Sequence, residues 1–185
     1  MNQPLPLDRL KLIEETILAL PADKQWQVAD FVDFLAERSA AEAEEWFWGL
    51  IGLIDWNRDS TELALQPLTE HLEKLPDEEI FRFHDRMAEK LHQLDTPEHF
   101  TAAAGSADTF LYGRCLVVAE GKDYYYNVLN DPTAFPQDYD LEDLLSVPEI
   151  AFENKHSKAY EHLPNTPYET GWNKAAWGEK AVSFV

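Results

Sequence analysis

Six histidines, one cysteine and a few acids set inside apolar stretches are the side chains of this sequence with chemistry to offer. His71, His84, His92, His99, His156 and His162 contain no pair at the i, i+4 spacing by which a helix presents two imidazoles to one zinc ion. His84 and His92 share a helical face but stand two turns apart, too far to hold one ion together. Cys115 lies in "LYGRCLVVA", and its apolar neighbours favour a packed thiol over a nucleophile. A single cysteine also excludes an internal disulfide and fits a reducing compartment. The sequence has no Gly-rich phosphate loop, no nucleophile elbow and no Cys-His arrangement. Neither a cofactor nor a metal is expected.

One combination offers a pocket: Asp108, Arg114 and Tyr125, with the aromatics near them. Asp108 and Arg114 are six residues apart on one helix, which sets them on different sides of it. Asp108 then reads as a first-turn acid complementing the helix dipole, with Ser106 as the cap. A buried Arg114 calls for a carboxylate partner. The stretch "DYDLEDLLSVPE", Asp138 to Glu149, places acids at positions one, three, five and twelve of a calcium loop. Position six is Asp143 rather than glycine and Pro148 is awkward, so the stretch reads as a solvated acidic face.

The elements that must position these residues are helical throughout. Leu10, Ile13, Ile17 and Leu20 recur at helical spacing, and after Pro21 so do Val28, Phe31, Val32 and Leu35. Two such helices joined by a tight turn make a hairpin over residues 1–40 that cannot bury both stripes alone. "SAAEAEE", Ser39 to Glu45, reads as a helical connector and a unit boundary, followed by the apolar run "WFWGLIGLIDW". Gly49 and Gly52 in that run suit the close approach of another backbone. "LPDEEIFRFHDRMAEKLHQLD" carries a stripe of Ile80, Phe83, Met87, Leu91 and Leu94. Thr96 and Ser106 cap two further helices, with Gly105 and Gly121 ending them, and a tyrosine-rich helix stops at Asp131-Pro132. Beyond Pro132 the prolines break the chain, leaving one short helix near Leu141 to Leu145. The expected class is all-α, with the hairpin followed by a multi-helix domain over 41–185 whose C-terminal part is acidic and loop-rich.

Composition narrows the partners. Asp and Glu number 35 against 15 Lys and Arg, a net charge of −20 that repels phosphate backbones and anionic lipid. Neither nucleic acid nor a membrane is expected as a partner. The most apolar run is about half the roughly 20 residues a bilayer requires, and "MNQPLPLDRL" has no signal-peptide pattern. A cytoplasmic protein is expected.

Two resemblances emerge from these motifs. "LPADKQWQVADFVDFLAE", through Leu20, Pro21, Val28, Phe31, Phe34 and Leu35, resembles the family called domain of unknown function 2281 over about residues 1–38. That resemblance implies a short bacterial helical module, antitoxin-like in some relatives. "EEWFWGLI", "LTEHLEKLPDEEIFRFHDRM" and "AAAGSADTFLYGRCLVVAEGKDYYYNVLNDPTAF" resemble the family called domain of unknown function 4240 over about residues 44–145. The shared positions include Phe47, Trp48, Ile80, Phe83, Asp108, Phe110, Arg114 and Tyr125. This chain departs from the pattern at Ala104, Ala107 and Cys115, where relatives carry Gly, Asp and Trp. Half of a polar cluster is thereby absent, and the resemblance implies no reaction.

The leading expectation is a binding or regulatory module acting through protein contacts. Trp26, Phe31, Phe34 and Leu35 of the hairpin serve self-association or partner docking. The competing expectations are an enzyme using the pocket near Asp108 and Arg114, and an antitoxin-like neutraliser of a basic partner.

Overall fold

The structure, a computed structural model, describes residues 4–137 and 141–178. All of the described secondary structure is helical, so the protein is all-α. The chain divides into two compact units, Met1–Trp46 and Phe47–Val185.

The first unit holds α1 (Leu7–Leu18) and the larger part of α2 (Ala22–Ile51). Leu20 N–H closes the end of α1 on the Ile17 carbonyl, and Lys24 N–H opens α2 on the Pro21 carbonyl. The Gln25 amide reaches back to the carbonyls of Leu18 (3.2 Å) and Leu20 (2.9 Å), fixing the turn. The connector Ser39–Glu45 is helical, and α2 runs through it into the apolar segment without a break. Alanines and glutamates there are strong helix formers, so nothing ends the helix before Ile51.

The second unit is built from the end of α2 with α3 (Thr61–Leu72), α4 (Asp77–Gln93), α5 (Pro97–Ala103), α6 (Ala107–Ala119), α7 (Lys122–Asn130), a 3-10 turn at Pro132–Ala134, α8 (Asp143–His156) and α9 (Lys174–Trp177). Helix α4 is central and packs on both α6 and α8, while α3 packs on α8 and α6 on α7. Its stripe of Ile80, Phe83, Met87 and Leu91, continued by Leu94, is fully buried. Each such side chain contributes roughly 1.5–3 kcal/mol of transfer free energy. Phe47 stacks on Phe83 with ring centroids 5.5 Å apart, and Trp48 meets Tyr125 at 5.1 Å. Helix α6 is apolar nearly all round and correspondingly buried, from Phe110 through Cys115 to Val118. It comes so close to Phe135 that a Cβ at Gly113 would lie 2.8 Å from the ring.

Capping follows local chemistry. The Ser60, Thr96 and Ser106 side chains each accept a backbone N–H in the first turn of α3, α5 and α6. Gly121 at φ 96° ends α6 as expected, but α5 is closed by Ala104 at φ 50° rather than by Gly105. An alanine in that region costs about 1 kcal/mol.

Two local expectations are corrected, and the rejection of a calcium loop is supported. Pro148, expected to break the chain, lies inside α8 without stopping it, as Pro67 does inside α3. Proline removes one N–H, and burial of Leu144, Val147, Ala151 and Phe152 on one side of α8 holds the helix through it. Gly49 faces open space and a Cβ at Gly52 would meet only its own helix's carbonyls, so no backbone approaches there. Of the acidic stretch Asp138–Glu149, residues 138–140 lie outside the described residues. From Asp143 onward it is α8, which is incompatible with a calcium loop.

Candidate functional site

Helix α4 ends at Gln93, and the carbonyls of its last turn have no partner within the helix. Arg114 Nη1 donates to the Leu91 carbonyl at 2.8 Å. The Tyr125 hydroxyl donates toward the Lys90 carbonyl (3.1 Å) and Gln93 Oε1 (2.8 Å). Asn173 Nδ2 donates to the His92 carbonyl at 3.0 Å. Three side chains from distant parts of the chain thus cap α4, and the guanidinium adds positive charge at the negative end of the helix dipole.

Arg114 is fully buried. Its Nη2 donates to Thr170 Oγ1 at 3.1 Å and its Cζ lies 4.6 Å from the Phe110 ring centroid. Its Nε finds no hydrogen-bond partner. The carboxylate partner expected from the sequence is not among these contacts; a carbonyl, a hydroxyl and a ring face take its place. Burial holds the Arg114 pKa below the usual arginine value, and the charge of Asp95 acts through space in the opposite sense. Tyr125 is equally buried, whereas Asp108 is exposed in the first turn of α6. The three residues of the sequence-derived pocket are therefore not gathered around one hollow. Two belong to the interior and one to the surface.

What the sequence reading missed is a C-terminal strap. From Ser157 to Asn173 the chain is irregular and is fastened along α4 by buried and half-buried polar groups. Asp95, with no exposed surface, accepts from Gly171 N–H (3.0 Å), Asn173 N–H (2.9 Å) and Trp177 Nε1 (3.0 Å). Asp85 Oδ1 accepts from His162 Nε2 (3.2 Å) and Asn165 N–H (3.0 Å). His92 Nδ1 lies 2.6 Å from the Pro167 carbonyl, so that nitrogen carries the proton. His84 Nδ1 pairs with the Tyr160 hydroxyl at 3.0 Å while its Nε2 is buried without a partner. Burial first, then the nearby His162, pushes the His84 pKa down to about 4, so it is neutral near pH 7. A neutral imidazole beside a tyrosine and an Asp–His pair is the nearest approach to acid–base machinery. His162 is stacked on Phe81 at 4.7 Å and its Nε2 is engaged by Asp85, which is the geometry of a fastening. Cys115 is buried, and burial pushes its thiol up to about 12, far from a reactive thiolate. Among the described residues no group of three His, Cys, Asp or Glu is placed to hold a metal ion, and no helix is long and apolar enough to cross a membrane.

The hairpin shows the opposite distribution. No side chain of α1 is buried. Ile13, Ile17, Leu20 and Val28 are half-buried along its inner side. Leu7, Leu10 and Leu18 are 46–70% exposed, and in α2 Trp26 is 72%, Phe31 58%, Phe34 56% and Leu35 44% exposed. Phe31, Val32 and Leu35 fall on one side of α2, with Phe34 extending that side and Trp26 lying away from it. Residues 1–38 carry seven acids and four bases, so the hairpin holds little of the net charge.

With this geometry in view, residues 42–154 match the family described as protein of unknown function, DUF4240. The chain belongs to the DUF4240 family. The matched segment runs from within α2 through most of α8. It thus holds the α4 core and the Arg114 and Tyr125 caps, and the DUF4240 match leaves out α1 and the whole strap. No curated protein and no solved structure matches the chain significantly.

Proposed function

We propose that this protein is a binding module that acts through protein contacts, and that its N-terminal hairpin pairs with the hairpin of a second copy. The observation that carries this reading is the exposure of Phe31, Phe34 and Leu35 on a hairpin in which α1 buries nothing. Isolated apolar residues on a surface are ordinary, but a contiguous run of large ones marks a contact. A second hairpin is the occupant the charge favours. Seven acids and four bases over residues 1–38 repel a like surface weakly, whereas the rest of the chain carries most of the −20. Two such hairpins bring four apolar stripes together, the arrangement of a four-helix bundle. The resemblance of residues 1–38 to the domain of unknown function 2281 family agrees with a separate small module. A cytoplasmic location belongs to the same reading.

The test uses the full chain. Sedimentation equilibrium across micromolar to hundred-micromolar concentrations should report a dimer. Phe31→Asp with Phe34→Asp should return the monomer mass, because paired charges on the contact face cost several kcal/mol when buried. Both residues are exposed, so the fold of the second unit should be untouched. A wild-type chain that stays monomeric throughout would refute self-association. A dimer that survives the double substitution would place the contact elsewhere.

A further inference from the structure

A hollow of about 840 Å³ lies between α3 and α8 in the second unit, and among the described residues no Lys, Arg or His lines it. Its floor is apolar. Leu65 and Val147 are buried beneath it, while Leu63 and Ile150 are 42% and 45% exposed. Its rim is acidic, with Glu62, Glu70 and Glu73 along α3 and Asp143 at the start of α8. Three of these carboxylates accept hydrogen bonds from neutral donors. Thr61 Oγ1 donates to Asp143 at 2.6 Å, Gln66 to Glu70 at 2.7 Å and Asn154 to Glu73 at 2.8 Å. Two of these bonds cross the groove, one at each end, and hold its walls at a fixed separation. Neutral donors leave the negative charge of the rim uncompensated.

We propose that this groove docks an amphipathic helix bearing Lys and Arg, contributed by a partner protein. Ser60 to Glu73 spans roughly 20 Å of groove, about four turns of a docked helix. Such a helix lays an apolar face on Leu63 and Ile150 and extends basic side chains to both rims, their aliphatic stems covering the floor between. The charge of the rim disfavours the alternatives, since phosphate and anionic lipid are repelled. The surface lies wholly within the DUF4240 unit and is independent of the hairpin.

The probe is a fluorescein-labelled 18-residue peptide of leucine and lysine with leucine at i, i+3, i+4 and i+7, followed by anisotropy against the full chain. Leu63→Ser with Ile150→Ser removes the apolar floor without changing charge and should weaken binding at least tenfold. Glu62→Lys with Glu70→Lys should do the same. Two controls should stay within threefold of wild type: Phe31→Asp with Phe34→Asp, which disables the hairpin face, and Glu120→Lys with Glu161→Lys, which moves the net charge equally at remote exposed sites. Groove variants that bind within threefold of wild type overturn the proposal. So does a remote charge control that loses as much as the groove reversal, because binding would then be attraction to the overall charge. If the hairpin control loses binding while the groove variants keep it, the peptide sits on the hairpin and the groove assignment is wrong.

Discussion

Replacing Arg114 by methionine tests whether this residue holds the end of α4. The guanidinium gives one hydrogen bond to the Leu91 carbonyl and one to the Thr170 hydroxyl, and lies over the Phe110 ring. Hydrogen bonds from a charged group contribute about 1.5–3 kcal/mol each, and the ring contact about 1 kcal/mol. Against this, methionine refills the apolar volume and relieves the desolvation of a buried cation whose Nε has no partner. The net expectation is a loss of about 3 kcal/mol, roughly 10 °C in Tm for a unit of this size. Urea titration followed by tryptophan fluorescence reads it directly. Arg114→Met combined with Thr170→Val should lose less than the sum of the two single changes, because the pair shares one bond. If Arg114→Met stays within 1 kcal/mol of wild type, the residue is not holding α4 and the cap assignment fails.

Further predictions bear on the strap. Asp95→Asn turns a group that accepts three N–H donors into one that presents its own N–H₂, and should loosen the segment from Ser157 to Trp177. Trypsin cleavage after Lys158 and Lys174 should then quicken at least tenfold in native buffer, and an unchanged rate removes Asp95 as the anchor. His84 makes stability depend on pH. Its folded-state pKa of about 4 lies below the ordinary 6.5, so the unfolded chain takes up a proton between those values that the folded chain refuses. The contribution is complete above pH 6.5 and is lost as pH falls toward 4, by up to about 3 kcal/mol. Urea midpoints at pH 7.5 and 4.5 should converge for His84→Gln relative to wild type; an identical pH slope in the variant would show that other groups carry it.

What the sequence discloses is set by how local the interaction is. The stripe from Ile80 to Leu94 repeats at helical spacing, and all five positions are buried where periodicity puts them. The caps at Ser60, Thr96 and Ser106 act within one turn and are equally readable. Pro148 misleads because a rule for isolated helices is overridden by packing of α8 on α3 and α4. Arg114 misleads more instructively. Its burial is implied by its apolar surroundings, but its partners, Leu91 and Thr170, lie 23 and 56 positions away. The strap contacts of Asp95 span 76 to 82 positions. No spacing rule reaches that far, and the segment carrying them is rich in proline and poor in periodicity.

The same distinction explains why belonging to the DUF4240 family says much about architecture and little about action. Of the positions on which the resemblance rests, Phe47, Trp48, Ile80, Phe83, Phe110, Arg114 and Tyr125 are interior, and Asp108 is exposed in the first turn of α6. The interior ones are hydrophobic core or helix caps, so any chain that keeps them keeps the helix arrangement. The exposed apolar residues are different ones: Phe31 and Phe34 on the hairpin, Leu63 and Ile150 with their acidic rim on α3 and α8. These are exposed and none of them belongs to that set. Exposed side chains change at small cost to stability, typically within about 0.5 kcal/mol. The fold can therefore persist while its contacts are rewritten. Function in this chain has to be argued from its own surface, where an apolar floor bordered by the carboxylates of Glu62, Glu70, Glu73 and Asp143 gives the most specific chemistry available.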